Sequence, residues 1–493
     1  MRSHARVVVV VLVAAVAAPI SGWAGALRVD GAQFRDGAGA AVILRGVDVA
    51  GNSKVPPFRG ITNAAQLDPL PRWGMNVVRL LFTWEAYEPQ PGTYDAAYLD
   101  DYVATARAAA ARGLYVIVDF HQDAFSRFSL GGCGEGFPSW ALPPTVTPAT
   151  PDNGAACADW GKRMLGDAEL TRSWDAFYGD AFGARTRYLV MIARVVAALA
   201  GEPMVIGYDL LNEPGGDERA QIGPLYEDAA RAIRAVDSAA ILFVSPANIT
   251  SAGNATMLAK PGFSSFVYSP HYYDPTLILF HGWQGSDEKV AFDEMSSTAA
   301  AWGVPLFVGE YGAAPSTEEV GGYMGALATQ MARVMASGAQ WVYTPGWDAT
   351  AKDGWNTEDF SIVDGSGATR ANFVPRPIPR RIAGTPTSIT LVEKSDAKLN
   401  ALTLSWDHDP ARGETELFAP AAWFGGSVDV STTGGLSCGS DGDFVRCHDA
   451  SAGAKSVTLS VASPRCGLTG AEALLLVALA RRRRRSQMAD RQS

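Results

Sequence analysis

The sequence is short of positive charge for its length. Among 493 residues, 41 lysines and arginines face 51 aspartates and glutamates, a formal net charge of −10. Basic residues cluster only near the two ends, so a nucleic-acid partner is not expected, since phosphate backbones are bound by basic surfaces. Charged residues make up 19% of the chain and apolar ones 47%, a composition that excludes an intrinsically disordered protein and indicates a globular one.

Neither terminal apolar run reaches the length of about 20 residues that a membrane span needs. The first extends from Val7 to Ile20, follows Arg2 and Arg6, and precedes the small residues of 24–26. A charged segment, an apolar segment and a small-residue cleavage site predict a signal peptide over residues 1–26, with a short membrane anchor as the alternative. We therefore expect export.

The other terminal run lies in an unusual tail over residues 464–493. Cys466 precedes an apolar stretch, 471–480, which five arginines at 481–485 follow. This order resembles a bacterial C-terminal sorting tag, while a basic nucleic-acid arm is the competing interpretation. With the signal peptide, the tag predicts a secreted or cell-surface protein.

Cysteine is also scarce, at five residues. Cys133 and Cys157 fall in one segment, and Cys438 and Cys447 in another. In an oxidising compartment this grouping predicts two local disulfides and leaves Cys466 over; free buried thiols are the alternative.

Apolar runs alternate with helical patterns between about residues 28 and 375. Eight runs have the composition of strands buried on both faces: Val42–Val47, Asn76–Leu81, Leu114–Phe120, Met204–Leu210, Ala240–Ser245, Ser265–Ser269, Pro305–Gly309 and Gln340–Thr344. Helical patterns lie between many of them, for example at Tyr98–Arg112, Arg185–Ala200, Leu225–Val236 and Thr317–Ser337. The alternation predicts an α/β fold, a (β/α)8 TIM barrel over residues 27–375. A doubly wound open sheet is the alternative, but no glycine-rich phosphate loop follows the first run.

Two segments depart from this alternation. Residues 124–170, after the third run, are too long for an ordinary connection, and we expect them to form a lid or substrate wall over the barrel. Beyond the proline-rich stretch 375–379, short alternating runs separated by glycine-rich turns predict a small C-terminal β-sandwich over residues 380–463.

Polar side chains follow six of the eight predicted strands at the carboxyl ends, where barrel enzymes hold their catalytic groups. The candidates are Arg79, His121, Asp123, Asn212, Glu213, His271, Tyr273, Glu310 and Trp347. Because grouping so many polar side chains in a barrel mouth is costly in desolvation, the pattern favours function over structure.

Glu213 after the fourth strand and Glu310 after the seventh suit glycoside hydrolysis with retention, in which one carboxyl protonates the leaving oxygen and the other attacks the sugar. The charge of the nucleophile keeps its neighbour protonated, so the pair divides the two roles. We assign Glu213 as acid/base and Glu310 as nucleophile. This mechanism needs no metal or other cofactor, and no cluster with ligand spacing occurs in the sequence.

The remaining candidates suit supporting roles. Asn212 can bond the sugar 2-hydroxyl, while Arg79 and Tyr273 can hold the nucleophile ionised and oriented. Trp347 offers a flat apolar face for a sugar ring, and Trp341 is the alternative if the eighth strand is offset.

These motifs resemble glycoside hydrolase family five. Asn212-Glu213-Pro214 resembles the acid/base motif of that family and Glu310-Tyr311-Gly312 its nucleophile motif. His271 with Tyr273 resembles its sixth-strand pair, and Arg79 its second-strand arginine. The resemblance covers roughly residues 27–375 and implies a TIM-barrel β-glycosidase.

Within the family the chain is most similar to endoglycoceramidases, which release intact glycans from glycosphingolipids. The third-strand ending Asp119–Asp123, the segment Gly132–Ala141 and the C-terminal sandwich carry this resemblance. It implies that His121, Asp123 and Lys54 bind the substrate sugars, with Trp160 as a further sugar contact.

The aglycone is left open by the sequence. Apolar residues of the insertion fit either a groove for acyl chains or simple packing on the barrel: Phe125, Phe128, Leu130, Phe137, Trp140 and Leu142. We expect the protein to be a monomer that acts on a glycolipid and can contact a membrane surface. The alternatives are a β-glucan or mannan, a glucosylceramide or steryl glucoside, and a surface lectin on an inactive barrel.

Overall fold

The computed structural model describes residues 26–280, 282–285, 288–394 and 399–462, without the side chains of 278–280. The predicted signal peptide, the C-terminal tag and Cys466 lie outside this part of the chain. Among the residues described, no helix combines the length and the apolar character that crossing a membrane requires.

Three short strands precede the barrel. They are β1 (Arg28–Asp30), β2 (Gln33–Arg35) and β3 (Ala41–Val42), and they pair in this order as an antiparallel unit. The predicted first barrel strand, Val42–Val47, therefore begins three residues too early. Val42 belongs to β3, and the barrel strand begins three residues later, because this apolar run serves two different sheets.

Eight parallel strands form the barrel, as predicted. They are β4 (Arg45–Val49), β5 (Val77–Thr83), β6 (Tyr115–His121), β7 (Val205–Asp209), β8 (Ile241–Val244), β9 (Phe266–Tyr268), β10 (Phe307–Val308) and β11 (Ser337–Tyr343). The hydrogen-bonded order is β10-β11-β4-β5-β6-β7-β8-β9, and a parallel bridge between Tyr268 and Leu306 brings the two ends together. All eight carboxyl ends thus open on one face.

Helices surround the strands. Those of the described residues are α1 (Pro69–Arg72), α2 (Trp84–Tyr87), α3 (Ala96–Ala110), α4 (Trp160–Met164), α5 (Ala168–Tyr178), α6 (Ala184–Leu199), α7 (Gly223–Arg234), α8 (Pro275–Phe280), α9 (Glu288–Trp302) and α10 (Val320–Arg333). α3, α6, α7 and α10 match the four predicted helical patterns. Local chemistry sets the start of α3, where the Asp95 carboxylate accepts the Tyr98 amide as an N-cap.

Two antiparallel sheets form the C-terminal domain. Its strands are β12 (Ile378–Ile382), β13 (Gly384–Val392), β14 (Ala401–His408), β15 (Thr415–Phe418), β16 (Val428–Thr433), β17 (Ser437–Asp441), β18 (Phe444–His448) and β19 (Gly453–Val461). One sheet has the order β13-β14-β19-β16 and the other β1-β2-β3-β12-β15-β18-β17. The strands before the barrel, which the sequence assigned to the catalytic unit, therefore complete the sandwich.

Both predicted disulfides are confirmed. Cys438–Cys447 joins β17 to β18, and Cys133–Cys157 closes part of the insertion after β6. The insertion packs on the barrel through buried rings, among them Phe137, whose centroid lies 5.1 Å from that of Trp84 after β5.

Candidate active site

Glu213 lies four residues beyond β7 in a turn with an unusual backbone. Its φ is 36°, in the left-handed region that side chains other than glycine seldom adopt. The carboxylate accepts a hydrogen bond from the Ser251 hydroxyl at 2.5 Å and lies 2.9 Å from Nδ1 of His271. It is buried, with 8% of the residue exposed.

Glu310 follows β10 and is held through both carboxylate oxygens. Oε1 accepts from the Arg79 guanidinium and Oε2 from the Tyr273 hydroxyl, each at 2.9 Å. Two donors on a buried carboxylate, one of them cationic, fix its orientation.

The two glutamates meet across His271. One oxygen of the Glu213 carboxylate and one of the Glu310 carboxylate lie within 4.8 Å of each other. Nδ1 of His271 lies 2.9 Å from Glu213 and 3.5 Å from Glu310. Gly309 makes this approach possible, because a Cβ there would lie 2.7 Å from the imidazole. Retaining glycosidases hold their two carboxyls about 5–5.5 Å apart, and inverting enzymes about 6.5–9.5 Å.

Arg79 is the centre of a buried charge cluster below this pair. Its guanidinium lies 2.9–3.0 Å from four carboxylates, those of Asp48, Asp119, Asp209 and Glu310. Burial raises the pKa of Asp48 to about 8 and that of Asp209 to about 6. At both carboxyls burial thus outweighs the opposing charge of Arg79, which would lower the pKa.

Asn212 is fixed beside the cluster. Its side-chain oxygen accepts from Arg79 at 2.7 Å, and its Nδ2 donates to the main-chain carbonyl of Gln122 at 3.1 Å. One proton of Nδ2 remains to meet a substrate hydroxyl, in keeping with the role predicted from the sequence.

A second buried cation, Lys54, lies in a cage of indole rings and carboxylates. Its ammonium group donates to Asp123 at 2.5 Å, lies 3.5 Å from Glu358, and faces Trp355 at 4.0 Å and Trp341 at 4.4 Å. Burial alone would lower the pKa of Lys54, but the charges of Asp123 and Glu358 outweigh it and raise that pKa. Trp160 is more distant, at 5.9 Å from the ammonium group.

His121 joins the two cationic centres. Its Nδ1 lies 2.7 Å from Asp119, which also contacts Arg79, and its Nε2 lies 3.5 Å from Asp123 and 3.4 Å from Glu135. The imidazole is stacked on Trp341 at 5.5 Å. Predicted residues from several strands are thus joined in one continuous network of buried polar side chains.

Metal binding fits neither group of acidic and imidazole side chains. Glu213, His271 and Glu310 form one such group, and His121, Asp123 and Glu135 another, each with three donor atoms within 4.8 Å of one another. Both already face a protein cation, Arg79 in the first and Lys54 in the second, which would repel a bound metal ion.

The structure separates the two candidate tryptophans of the eighth strand. Trp341 lies on β11 against His121 and Lys54, whereas the Trp347 indole donates to Asp359 at 2.9 Å and stacks under Arg370 at 4.3 Å. Contact of Trp347 with a sugar ring stays a prediction, and Trp341, which is 3% exposed and covered by His121 and Lys54, stays its alternative.

The apolar residues of the insertion mostly pack the core. Phe125, Leu130 and Phe137 are at most 2% exposed, so they do not line a groove. A depression beside Glu213 is lined instead by Met164, Leu165, Leu170, Trp174 and polar neighbours.

Several residues of the site escaped the sequence analysis. Trp355 and Glu358 lie in an irregular segment after β11, and Ser251 lies in a short 3-10 helix, Asn248–Ala252; no periodicity singles them out. Asp48 lies inside β4 and could have been found only as a charge within an apolar run. The Lys54 site is therefore richer in acids and rings than the motifs indicate.

Comparisons with known proteins agree with this geometry. Residues 36–353 match the family described as cellulase (glycosyl hydrolase family 5), and residues 376–461 the glycoside hydrolase family 5 C-terminal domain. Endoglycoceramidase I of Rhodococcus hoagii (strain 103S) is 33% identical over 189 residues, 38% of this chain and 37% of that protein. A glucosylceramidase of Aspergillus fumigatus is 36% identical over 141 residues, 24% of this chain and 18% of that protein.

The chain thus aligns with well under two thirds of the length of these two curated relatives. Among solved structures, endo-glycoceramidase II from Rhodococcus sp., in complex with ganglioside GM3, is 25% identical with a TM-score of 0.72, over 88% of this chain and 100% of that one. Since the family match spans more than half of the sequence, as the strand-end motifs predicted, this chain belongs to glycosyl hydrolase family 5.

Proposed function

We propose that the protein is a retaining β-glycosidase that hydrolyses the bond between glycan and ceramide in glycosphingolipids. The observation that carries the proposal is the pair of buried carboxylates within 4.8 Å of each other. Glu310 accepts hydrogen bonds from Arg79 and Tyr273. Among the described contacts of Glu213, the only side chain that can carry a positive charge is His271.

The two roles follow from these surroundings. Glu310, held ionised, attacks the anomeric carbon as Glu213 gives its proton to the departing oxygen, which leaves as an alcohol. The glycosyl-enzyme ester then reacts with water, whose proton returns to Glu213 while its oxygen bonds the sugar, and Glu310 is released as the carboxylate.

The substrate assignment rests on the relatives and on the Lys54 cage. The name of the Rhodococcus hoagii relative and the GM3 complex of the solved structure support a glycosphingolipid. Lys54, Asp123 and His121 continue the buried polar network beyond the catalytic pair, and the proposal assigns them to a second sugar. A glycan of at least two sugars is therefore the favoured substrate.

A second candidate removes a single glucosyl group from ceramide or a sterol. The glucosylceramidase of Aspergillus fumigatus supports it. In that case the Lys54 cage would close the sugar pocket instead of binding a further sugar.

Export and contact with a lipid surface form part of the proposal. Leu165 lines the depression beside Glu213 and is 51% exposed, and Ile249, next to Asn248 in the same lining, is 54% exposed. Apolar side chains at this rim would meet the membrane or micelle that presents the glycolipid.

Two variants test the catalytic roles. Glu310→Gln should lower turnover by at least about 10³-fold, because an amide forms no glycosyl ester. Glu213→Ala should regain turnover with azide on an activated aryl β-lactoside and yield a β-glycosyl azide. Glu318→Gln, on an exposed residue of the loop after the nucleophile, is the control and should keep normal activity. Normal activity of Glu310→Gln would contradict the assignment.

Product analysis by mass spectrometry tests the substrate. Lactosylceramide, glucosylceramide and cello-oligosaccharides are each incubated with the enzyme and detergent. Lactose plus ceramide supports the proposal, and cleavage of glucosylceramide alone supports the second candidate. Cleavage of cello-oligosaccharides alone would overturn both lipid substrates while leaving the glutamates in their roles.

A further inference from the structure

Gln122, which the catalytic proposal does not use, forms an unusual set of hydrogen bonds. It follows β6 directly and is 2% exposed. Its Nε2 donates to the main-chain carbonyls of Asn212 at 2.7 Å and Glu213 at 2.9 Å, and its Oε1 accepts from the Phe125 amide at 2.8 Å. A primary amide carries two N–H protons, and here each has its own carbonyl.

Those two carbonyls belong to the strained turn that carries Glu213. A non-glycine residue at a φ of 36° is strained and persists only where its surroundings hold it. Asn212 bonds back to the same segment, through its amide to the Phe120 carbonyl at 3.0 Å and its Nδ2 to the Gln122 carbonyl at 3.1 Å. The loops after β6 and β7 are thereby joined, with Gln122 at the junction.

The surroundings of Gln122 also fix its own position. Gly136 lies against it so closely that a Cβ on the glycine would lie 2.5 Å from Cβ of Gln122. The Phe125 amide sets which end of the side-chain amide faces the Glu213 turn. The side chain is therefore oriented before any substrate binds.

We propose that Gln122 is a positioning residue for the acid/base, holding the main chain of Glu213 so that its carboxyl meets the leaving oxygen. The inference rests on the proposed function of Glu213. Arg79 and Tyr273 hold the nucleophile from other strands, so loss of Gln122 should impair proton donation and spare nucleophilic attack.

Leaving groups of different acidity separate these two effects. Departure of 2,4-dinitrophenolate needs no proton, whereas departure of phenolate does, and kcat/KM reports the step in which the bond breaks. Gln122→Met keeps the side-chain volume without its donors, and Gln122→Glu places carboxylate oxygens opposite the two carbonyls. With phenyl β-lactoside, both variants should lose about 10- to 100-fold in kcat/KM, a substantial part of what general acid catalysis supplies. With 2,4-dinitrophenyl β-lactoside the loss should stay within about threefold.

Gln340→Met is the matched control. Gln340 is also buried and donates through Nε2 to a main-chain carbonyl, that of Asn372 at 2.9 Å, outside the catalytic cluster. It should lose stability without a change in the ratio of the two kcat/KM values. Two variants of Gln122 are used so that one that does not fold still leaves a measurement.

Each outcome of this comparison either supports or overturns the role of Gln122. A selective loss with phenyl lactoside supports the inference, while equal losses with both substrates, or no loss with either, overturn it. If the unaltered protein hydrolyses neither lactoside, the proposed function itself fails, which the variants alone would not reveal.

Discussion

At the scale of single residues, the site surrounds two buried cations with more carboxylates than they neutralise. Glu358 is an example, since it lies 3.5 Å from Lys54 while Asp123, closer at 2.5 Å, already pairs with that ammonium group. Burial raises the pKa of Glu358 to about 8, despite the nearby lysine. The folded protein therefore holds a proton that the unfolded chain releases near the ordinary pKa of 4.5.

This proton makes stability depend on pH. Between pH 4.5 and about 8 the folded state binds more protons at Glu358 than the unfolded state, so its contribution to the free energy of unfolding falls as pH rises. Glu358→Gln removes this dependence. Relative to the unaltered protein, the variant should be about equally stable at pH 4.5 and more stable at pH 8.5, by up to about 5 kcal/mol, in urea unfolding at each pH.

The adjacent Asp359 provides a control with the opposite sign. Burial would raise its pKa, but hydrogen bonds from Arg370 and Trp347 outweigh this and lower it. Asp359→Asn should therefore destabilise the protein at neutral pH, with the difference vanishing as pH falls below the lowered pKa. Parallel pH profiles for the two variants would contradict this account.

The strand-end side chains could be predicted from the sequence, because barrel geometry brings the ends of β5, β6, β7 and β10 to one face. Glu358 could not. It follows β11 in an irregular segment, and its approach to Lys54, 304 positions earlier in the chain, depends on how two loops pack. Trp355 escaped for the same reason.

At the scale of elements, the insertion after β6 is joined to the segment after β11. The Cys133 carbonyl accepts from the Asn356 side chain at 2.6 Å, and the Gly134 carbonyl accepts from the Trp355 indole at 3.3 Å. Trp355 in turn covers Lys54. The disulfide Cys133–Cys157 is therefore linked to the proposed sugar contact Lys54 through Trp355.

Removing this disulfide should affect substrate binding as well as stability. The double variant Cys133→Ser/Cys157→Ser should lose about 2–4 kcal/mol of unfolding free energy, and KM for an aryl lactoside should rise several-fold as Trp355 loses its support. The sandwich disulfide is the matched control. Cys438→Ser/Cys447→Ser should lower stability and leave KM unchanged, and an equal rise of KM in both variants would count against the link.

The insertion also shows what periodicity leaves undecided. Its length predicted an extra structure above the barrel, and its cysteine spacing predicted the disulfide. Whether Phe125 and Phe137 face a ligand or the core is not encoded in their spacing, because an apolar side chain suits either environment. Both side chains belong to the core, because α5 and α6 pack against them.

At the scale of the whole molecule, barrel and sandwich are tied together by the strands at residues 28–42. β3 pairs with β12 and leads within three residues into β4 of the barrel. Across the same sheet, the carboxylate of Asp36 bonds Arg381 at 2.7 Å, and both residues are buried. The predicted boundary missed this because strand partners 340 residues apart share no local signal.

We expect the two parts to unfold together. Asp36→Ala leaves a buried guanidinium without this carboxylate and should lower the unfolding free energy by about 3 kcal/mol. In calorimetry, a single transition should move to lower temperature as a whole. Asp30→Ala, which removes the exposed partner of the Arg35 ion pair, should change stability by less than about 1 kcal/mol. Two separate transitions, with only one shifted, would contradict this coupling.

The pairing of β3 with β12 also sets an order for biosynthesis. Ala41 and Val42 leave the ribosome early, yet their partners Arg381 and Ile382 emerge only after the whole barrel has been made. Until then the edge of β3 and the side chain of Ile43, which is buried with the sandwich core, lack their cover. A nascent chain paused within the barrel therefore exposes an unpaired strand edge, which is covered only when β12 has been made.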